Sequence, residues 1–187
     1  MGLTTPRAGS IRFKKEDLVG LPAQAICRRG IGFVPEDRRI FRNLTVRENL
    51  EVARRENRTL PGGGWTMDRV FNLFPHLRGM ENRKGGTLSG GEQQMLTIAR
   101  TLIGNPELLL LDEPSEGLAP VIVQELKQQI AELKSQGLSI ILCEQNLRFA
   151  MPLSDRVYII EKGQIKYEGS IQEFAANKDV QHTYLAV

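Results

Sequence analysis

Residues 108–114 read Leu-Leu-Leu-Leu-Asp-Glu-Pro, four apolar side chains followed by two acids and a proline. A continuous apolar run of this length, bounded by turn signals, is typical of a strand buried on both faces of a parallel sheet. Residues 30–34 and 138–143 carry apolar segments that we also predict to be strands. A further strand at 157–160 is predicted to turn back at 162–163 as a hairpin. Helical patterns separate most of these strands, which indicates an α/β fold with a largely parallel sheet.

Two long helices are predicted from capping signals and from apolar residues that recur every three or four positions. Ser89 and Glu92 have the spacing of a capping box, and the helix that they open is expected to end at Gly104. The second long helix is predicted over 121–136, with Gly137 as its C-terminal stop. Each helix lies next to a predicted strand, as expected for a sheet covered by helices.

Residues 44–84 have helical character and lie between segments of strand character. A capping box at 45–48 predicts a helix that runs to about Arg55, and a second short helix is predicted at 67–74. A Pro-Gly-Gly-Gly sequence at 61–64 predicts a flexible break between them. We therefore predict one domain over residues 1–187, in which 44–84 is an inserted helical subdomain and 85–187 continues the α/β part.

Composition places the chain among ordinary globular proteins. Its 187 residues are 41% hydrophobic and 25% charged, with a net charge of +3. No apolar run approaches the roughly 18 residues of a membrane helix, so we expect any link to a membrane to run through a partner protein. Aromatic residues make up 6% and do not interleave with a basic run. We therefore expect no nucleic-acid partner.

The cysteines and histidines do not predict a metal site. Cys27 and Cys143 lie far apart in the sequence and fit no ligand spacing. We interpret both as small buried residues of a protein from a reducing compartment. His76 and His182 are isolated, without a neighbouring partner for a zinc site or a catalytic triad.

The sequence Leu-Ser-Gly-Gly-Glu-Gln at 88–93 is the strongest chemical signal. The plain interpretation is a well-capped helix, for which Ser89 and Glu92 suffice. That interpretation leaves Gly90 and Gly91 unexplained, since each glycine weakens a helix by roughly 1 kcal/mol relative to alanine. Glycines at a helix start let a phosphate approach the backbone amides, and the helix dipole favours the anion.

The acids Asp112 and Glu113 form the second signal, because ligands of open α/β sheets bind at the carboxyl ends of strands. There Asp112 could hold Mg²⁺, directly or through water, while Glu113 polarises an attacking water. The alternative is that Asp112 merely caps a turn before Pro114. An isolated match of apolar residues followed by Asp-Glu does not decide between the two interpretations.

Together, 88–93 and 108–113 resemble the signature sequence and the second nucleotide motif of the ABC ATPase family. The resemblance covers essentially the whole chain from about Ser10. It implies a P-loop NTPase-like α/β domain that uses ATP and Mg²⁺, with Glu113 as the catalytic residue and Asp112 as the metal ligand. The signature residues would contact ATP; these are Ser89, Gly90, Gly91, Glu92 and Gln93. The loop after the strand would contact a second subunit; its residues are Ser115, Glu116, Gly117 and Leu118.

Three further segments, at 34–41, 115–120 and 144–146, look like those of branched-chain amino acid importers. Glu36 takes the place of the glutamine that in most of the family senses the γ-phosphate, and Gln145 takes the place of the switch histidine. Gln145 cannot gain a proton near pH 7 as histidine can. If it acts on the γ-phosphate, it acts as a neutral hydrogen-bond donor. For both residues the alternative is an ordinary polar surface side chain.

The phosphate-binding loop of the family, G-x-x-x-x-G-K-[ST], occurs nowhere in the sequence. The family places that loop and its strands upstream of a segment that matches residues 2–10. We therefore expect an incomplete sequence that lacks the first strands and has no appreciable ATPase activity alone. Missing strands would also leave apolar edges exposed.

The resemblance implies a peripheral subunit on the cytoplasmic face of the inner membrane. Its partners would be transmembrane permease subunits, which 44–84 would face, and a second ABC ATPase subunit, with a solute-binding protein acting indirectly. In that dimer each ATP lies between Asp112 and Glu113 of one subunit and the signature helix of the other.

Three alternatives stay open: a urea or amide importer, a truncated inactive module that binds partners or regulates, and a soluble ABC ATPase acting on DNA or ribosomes. The last would predict coiled-coil insertions or paired domains, which this sequence lacks.

Overall fold

The computed structural model describes residues 1–55 and 63–185. The first two residues of the predicted break at 61–64, Pro61 and Gly62, lie outside the described residues. The chain divides into two compact units, Met1–Glu144 and Gln145–Val187. The predicted assignment of 44–84 as an inserted subdomain of one domain stays a prediction.

The first unit contains five strands and six helices among its described residues. The strands are β1 (Arg12–Phe13), β2 (Glu16–Asp17), β3 (Ile31–Val34), β4 (Leu108–Asp112) and β5 (Ser139–Cys143). The helices are α1 (Ala23–Arg28), α2 (Val46–Ala53), α3 (Met67–Leu73), α4 (Pro75–Arg78), α5 (Gly90–Ile103) and α6 (Pro120–Ser135).

A three-stranded parallel sheet in the order β3-β4-β5 forms the centre of this unit. Val34 lies opposite Leu111, and Asp112 lies opposite Cys143. The carboxyl ends of the three strands therefore meet at one edge, as predicted. β1 and β2 pair with each other as a separate antiparallel ribbon.

β4 is buried on one face and half-buried on the other, although its leucine run predicts burial on both. Leu109 and Leu111 are at most 1% exposed. Leu108 and Leu110 pack against a small cluster formed by residues 18, 26 and 31 and keep part of their surface exposed. β5 pairs with β4 along one of its edges, and Ile141 on it is 53% exposed.

Capping residues set the helix starts where the sequence predicts them. Thr45 caps α2 through a complete capping box, and Ser89 does the same for α5. Pro75 follows the helix predicted at 67–74, and a further helix that was not predicted, α4, begins at this residue. Proline is well suited to the first position of a helix, since its missing N–H has no partner there.

The second unit consists of a β-hairpin and short helices. Its described elements are α7 (Leu147–Ala150), β6 (Arg156–Glu161), β7 (Gln164–Ser170), α8 (Ile171–Ala176) and α9 (Lys178–Leu185). β6 and β7 pair antiparallel, and Lys162 and Gly163 in the turn have φ of 50° and 75°. Two positive φ angles match the twist of a two-residue hairpin turn, so the predicted hairpin is confirmed.

The prediction that both cysteines are buried is wrong. Cys143 is exposed and Cys27 is partly exposed. Cys143 is the last residue of β5, in which alternate side chains, including those of Ile141 and Cys143, lie on an exposed face. Across residues 1–55 and 63–185, no helix has the length and apolar character needed to cross a membrane.

Candidate functional site

The first part of the candidate site is the start of α5, where reciprocal hydrogen bonds fix the backbone. The Glu92 amide donates to Ser89 Oγ over 3.3 Å, and the Ser89 amide donates to Glu92 Oε2 over 2.6 Å. Gln93 Nε2 donates to the Leu88 carbonyl over 2.9 Å. Three of the predicted site residues thus hold the helix start in place, which leaves the glycines between them to be explained.

Gly90 and Gly91 are explained in part by close packing. A Cβ at Gly91 would lie 2.8 Å from Cγ2 of Ile122 on α6. A Cβ at Gly90 would lie 2.6 Å from Nη1 of Arg38. Real Cβ atoms essentially never come this close to other heavy atoms, so both positions need glycine unless a neighbour moves. The argument from phosphate binding is therefore not the sole physical reason for these glycines.

The second part of the site is the carboxyl end of β4. Glu113 follows the strand with φ of 42°, and its amide donates to the Cys143 carbonyl over 2.9 Å. The Ser115 amide donates to Oε1 of Glu144 over 3.1 Å. These bonds tie the loop after β4 to the end of β5. A left-handed backbone at a residue other than glycine costs about 1–2 kcal/mol and is concentrated at functional sites.

Carboxylates crowd this end of the sheet and act on one another. A hydrogen bond with Glu113 raises the pKa of Glu116 above its ordinary value, and repulsion from Glu36, Glu113 and Glu144 adds to the shift. Desolvation of its sulfur raises the pKa of Cys143, with smaller contributions from the charges of Asp112 and Glu113. The region is negative and would attract a cation or a cation-bound phosphate.

Asp112 lies at the end of β4 and is partly buried. Within the described ranges, no three side chains of His, Cys, Asp or Glu form a group that could hold a metal ion. Mg²⁺ that arrives with a nucleotide needs one or two protein carboxylates, since phosphates and water supply its other ligands. Asp112 fits that requirement, and its role as a Mg²⁺ ligand stays a prediction.

The other predicted site residues are Glu36, the loop 115–118 and Gln145. Glu36 is exposed in the loop after β3, and its charge reaches Glu116. The predicted contact loop, 115–118, follows Glu113 directly, with its Gly117 at φ of 63°. Gln145 is the first residue of the second unit, just after Glu144. The structure thus brings Glu36, Glu113 and Glu116 together, and the part assigned to Gln145 stays a prediction.

Arg38 is a site residue that the sequence did not single out. Its Nη2 donates to the Glu116 carbonyl over 2.7 Å, and its Nη1 occupies the space beside Gly90. The guanidinium therefore lies between the start of α5 and the loop 115–118. It adds positive charge to a helix end that is already positive, an arrangement that favours an anion there. No local signal in the sequence predicts this position, because 78 residues separate Arg38 from Glu116.

Comparison with known proteins assigns a family. The family model described as ABC transporter matches residues 1–116. The chain is 44% identical over 186 residues to the high-affinity branched-chain amino acid transport ATP-binding protein BraG of Pseudomonas aeruginosa, covering 95% of the chain and 76% of the relative. It is 34% identical over 187 residues to the lipopolysaccharide export system ATP-binding protein LptB of Escherichia coli, covering 99% and 77%.

Solved structures agree on the fold. An ATP-binding cassette of an ABC transporter in its ADP conformation superposes with a TM-score of 0.76 at 24% identity, covering all of this chain and 80% of that one. A dimeric ATP-binding cassette bound to ADP and Pi superposes with a TM-score of 0.73 at 22% identity, covering 90% and 76%. With a family model over more than half of its length and relatives above 30% identity along almost all of it, the chain belongs to the ABC transporter family, among ATP-binding subunits that hydrolyse ATP.

Proposed function

We propose that the chain is the ATP-hydrolysing subunit of an importer for branched-chain amino acids, peripheral to the cytoplasmic face of the membrane and coupled to permease subunits. The assignment of the solute rests on the 44% identity to BraG, compared with 34% identity to LptB. A transport ATP-binding protein from Archaeoglobus fulgidus, LivF, which is named for a probable role with the same solutes, adds support at 33% identity over 182 residues, covering 92% of the chain and 73% of the relative.

In this proposal the carboxyl end of β4 performs the chemistry. Asp112 would hold Mg²⁺, which would supply positive charge for the phosphates of a bound nucleotide. Glu113 orients the attacking water and accepts its proton. The position of Glu113 directly after β4, at the carboxyl end of the parallel sheet, supports this role. In this proposal Glu36 serves the γ-phosphate side of that nucleotide, and Gln145 acts as a neutral hydrogen-bond donor to a γ-phosphate.

The start of α5 serves the second ATP of a dimer. The capping box uses the amides of Ser89 and Glu92, so the amides of Gly90 and Gly91 are the ones proposed to bind the phosphate, which the dipole of the 14-residue helix favours. The loop 115–118 contacts the second ATPase subunit. Because the two parts of the site serve different nucleotides, hydrolysis requires two subunits, and the helical stretch 44–84 faces the permease.

Export of lipopolysaccharide is the second candidate, favoured by the 34% identity to LptB over nearly the whole chain. The two functions differ in the direction and chemistry of the cargo. Both functions would use the same ATP site, so the test has to measure which substance is transported.

Uptake of labelled leucine, isoleucine and valine by cells that carry Glu113→Gln in the native gene tests the proposal. We expect uptake of these three solutes to fall to the level of a gene deletion, and uptake of a basic amino acid to stay unchanged. Glu132→Gln on α6 is the matched control, with the same change of charge away from the site. Normal uptake in Glu113→Gln cells would contradict the importer proposal, and lipopolysaccharide retained in the inner membrane would favour export.

A further inference from the structure

We propose that Arg38 is a positioning residue that joins the start of α5 to the loop 115–118, so that the two nucleotide half-sites of one chain move together. The inference rests on the proposed function for the identity of those half-sites. Its physical basis is the geometry of one guanidinium between two segments that are about 25 residues apart in sequence.

The guanidinium lies in a space that two glycines leave open. A Cβ at Gly90 would come within 2.6 Å of Arg38 Nη1, and a Cβ at Gly117 would come within 3.4 Å of Nη2. One glycine belongs to the start of α5 and the other to the loop 115–118. A side chain at Gly90 would push the guanidinium away, so this glycine is needed for the bridge as well as for the helix start.

A hydrogen bond fixes the guanidinium on the loop side. Nη2 donates to the Glu116 carbonyl over 2.7 Å, and a charged donor makes such a bond about twice as strong as a neutral one. This carbonyl belongs to the residue whose carboxyl group interacts with Glu113. A shift of the guanidinium is therefore passed to the backbone next to the proposed catalytic carboxylate.

The backbone of Arg38 is consistent with a held position. Its φ is 47°, in the left-handed region, and its carbonyl accepts from the Ile40 amide over 2.7 Å. Residues other than glycine adopt this region at a cost of about 1–2 kcal/mol. Such a conformation persists where the surrounding structure stabilises it. Here the hydrogen bond to the Glu116 carbonyl and the packing beside Gly90 and Gly117 stabilise the position of Arg38.

The neighbouring Arg39 provides a matched control. Its Nε pairs with Asp37 Oδ2 over 2.8 Å, and its side chain is 72% exposed. Arg39→Gln removes the same charge from the same loop and leaves the contacts of the Arg38 guanidinium in place. An effect of Arg38→Gln that Arg39→Gln reproduces would come from charge alone.

Amide hydrogen exchange on the full chain tests the bridge without ATP. We expect Arg38→Gln to speed exchange in the loop 115–118 by about tenfold or more, as for loss of a hydrogen bond to a charged group. Exchange in the first turn of α5 should speed up by a smaller factor, because only packing beside Gly90 links it to the guanidinium. Arg38→Lys should give an intermediate effect, because one ammonium group can bond to the Glu116 carbonyl without filling the space at Gly90. In Gly90→Ala, which displaces the guanidinium, Arg38→Gln should add little.

Three results would contradict the proposed role of Arg38. They are faster exchange in only one of the two segments, the same exchange rates in Arg39→Gln, and additive effects of Gly90→Ala and Arg38→Gln. If Arg38→Gln does not fold, the comparison of Arg38→Lys with Arg39→Lys decides the question in the same way. The functional consequence is measured as the Hill coefficient for ATP in the assembled transporter, which should fall towards 1 in Arg38→Lys. If Glu113→Gln leaves ATP hydrolysis intact, the proposed function fails and the exchange result still stands.

Discussion

The start of α5 and the carboxyl end of β4 differ in how their polar groups are satisfied. At α5, Ser89 and Glu92 bond to each other's backbone amides, and nine residues of the helix are buried. At β4, Glu113 has a left-handed backbone, and Glu116 lies among like charges. The first region is stable as it stands, whereas the second has repulsion that a bound cation would relieve.

This difference suggests a division of work between the two regions. A rigid, capped helix end can present amides to an anion at little cost of ordering. Repulsion among carboxylates at the end of β4 favours a cation that arrives with the nucleotide, which suits the chemical step. Substitutions that should act on one region and leave the other unchanged test this difference.

Gly91→Ala is the substitution with the largest expected effect on stability. Its new methyl group would lie 2.8 Å from Ile122 Cγ2, so α5 or α6 has to shift, at a cost of about 1–3 kcal/mol. Gly90→Ala meets the flexible end of Arg38 and should cost less than half as much. Urea unfolding of both variants measures the difference. Equal losses would show that packing does not distinguish the two glycines.

Much of the helix start could be predicted from the sequence because capping is local. Ser89 and Glu92 are three residues apart, and the same spacing identified Thr45 with Glu48. The alternation of strands and helices likewise predicted the parallel sheet. The exposure of Cys143 was missed because it depends on which elements cover each face of β5, and no local sequence pattern records that.

Long-range side-chain contacts could not be predicted in the same way. Arg38 contacts Glu116 across 78 positions. Asn105, two residues after the end of α5, is buried and bonds to the backbone of Arg55 and Trp65, 50 and 40 positions away. Residue type and spacing carry no information on such partners until the fold brings them together.

Glu116→Gln should have a smaller effect, and its sign should depend on pH. The pKa of Glu116 is raised in the folded protein, so its contribution to stability is lost as pH rises above the ordinary carboxyl range near 4.3. The variant should therefore melt at a higher temperature than the wild type at pH 7.5 and at nearly the same temperature at pH 4. Thermal melts at the two pH values measure this.

Glu48→Gln on α2 is the control with the opposite sign. Hydrogen bonds from Thr45 lower the pKa of Glu48, so its contribution to stability is present at neutral pH and lost as pH falls. This variant should melt at a lower temperature than the wild type at pH 7.5. If both variants shift in the same direction at pH 7.5, the contrast between capped and crowded carboxylates is wrong.

Phosphate release by the assembled transporter, with Glu113→Gln compared with the wild type, tests the central claim most directly. If Glu113 activates the attacking water, steady-state hydrolysis should fall by about 100-fold or more, the usual contribution of a general base. ATP binding should persist, and Glu132→Gln should hydrolyse ATP at the wild-type rate. Hydrolysis that continues unchanged in Glu113→Gln would contradict the assignment of the carboxyl end of β4 as the catalytic region.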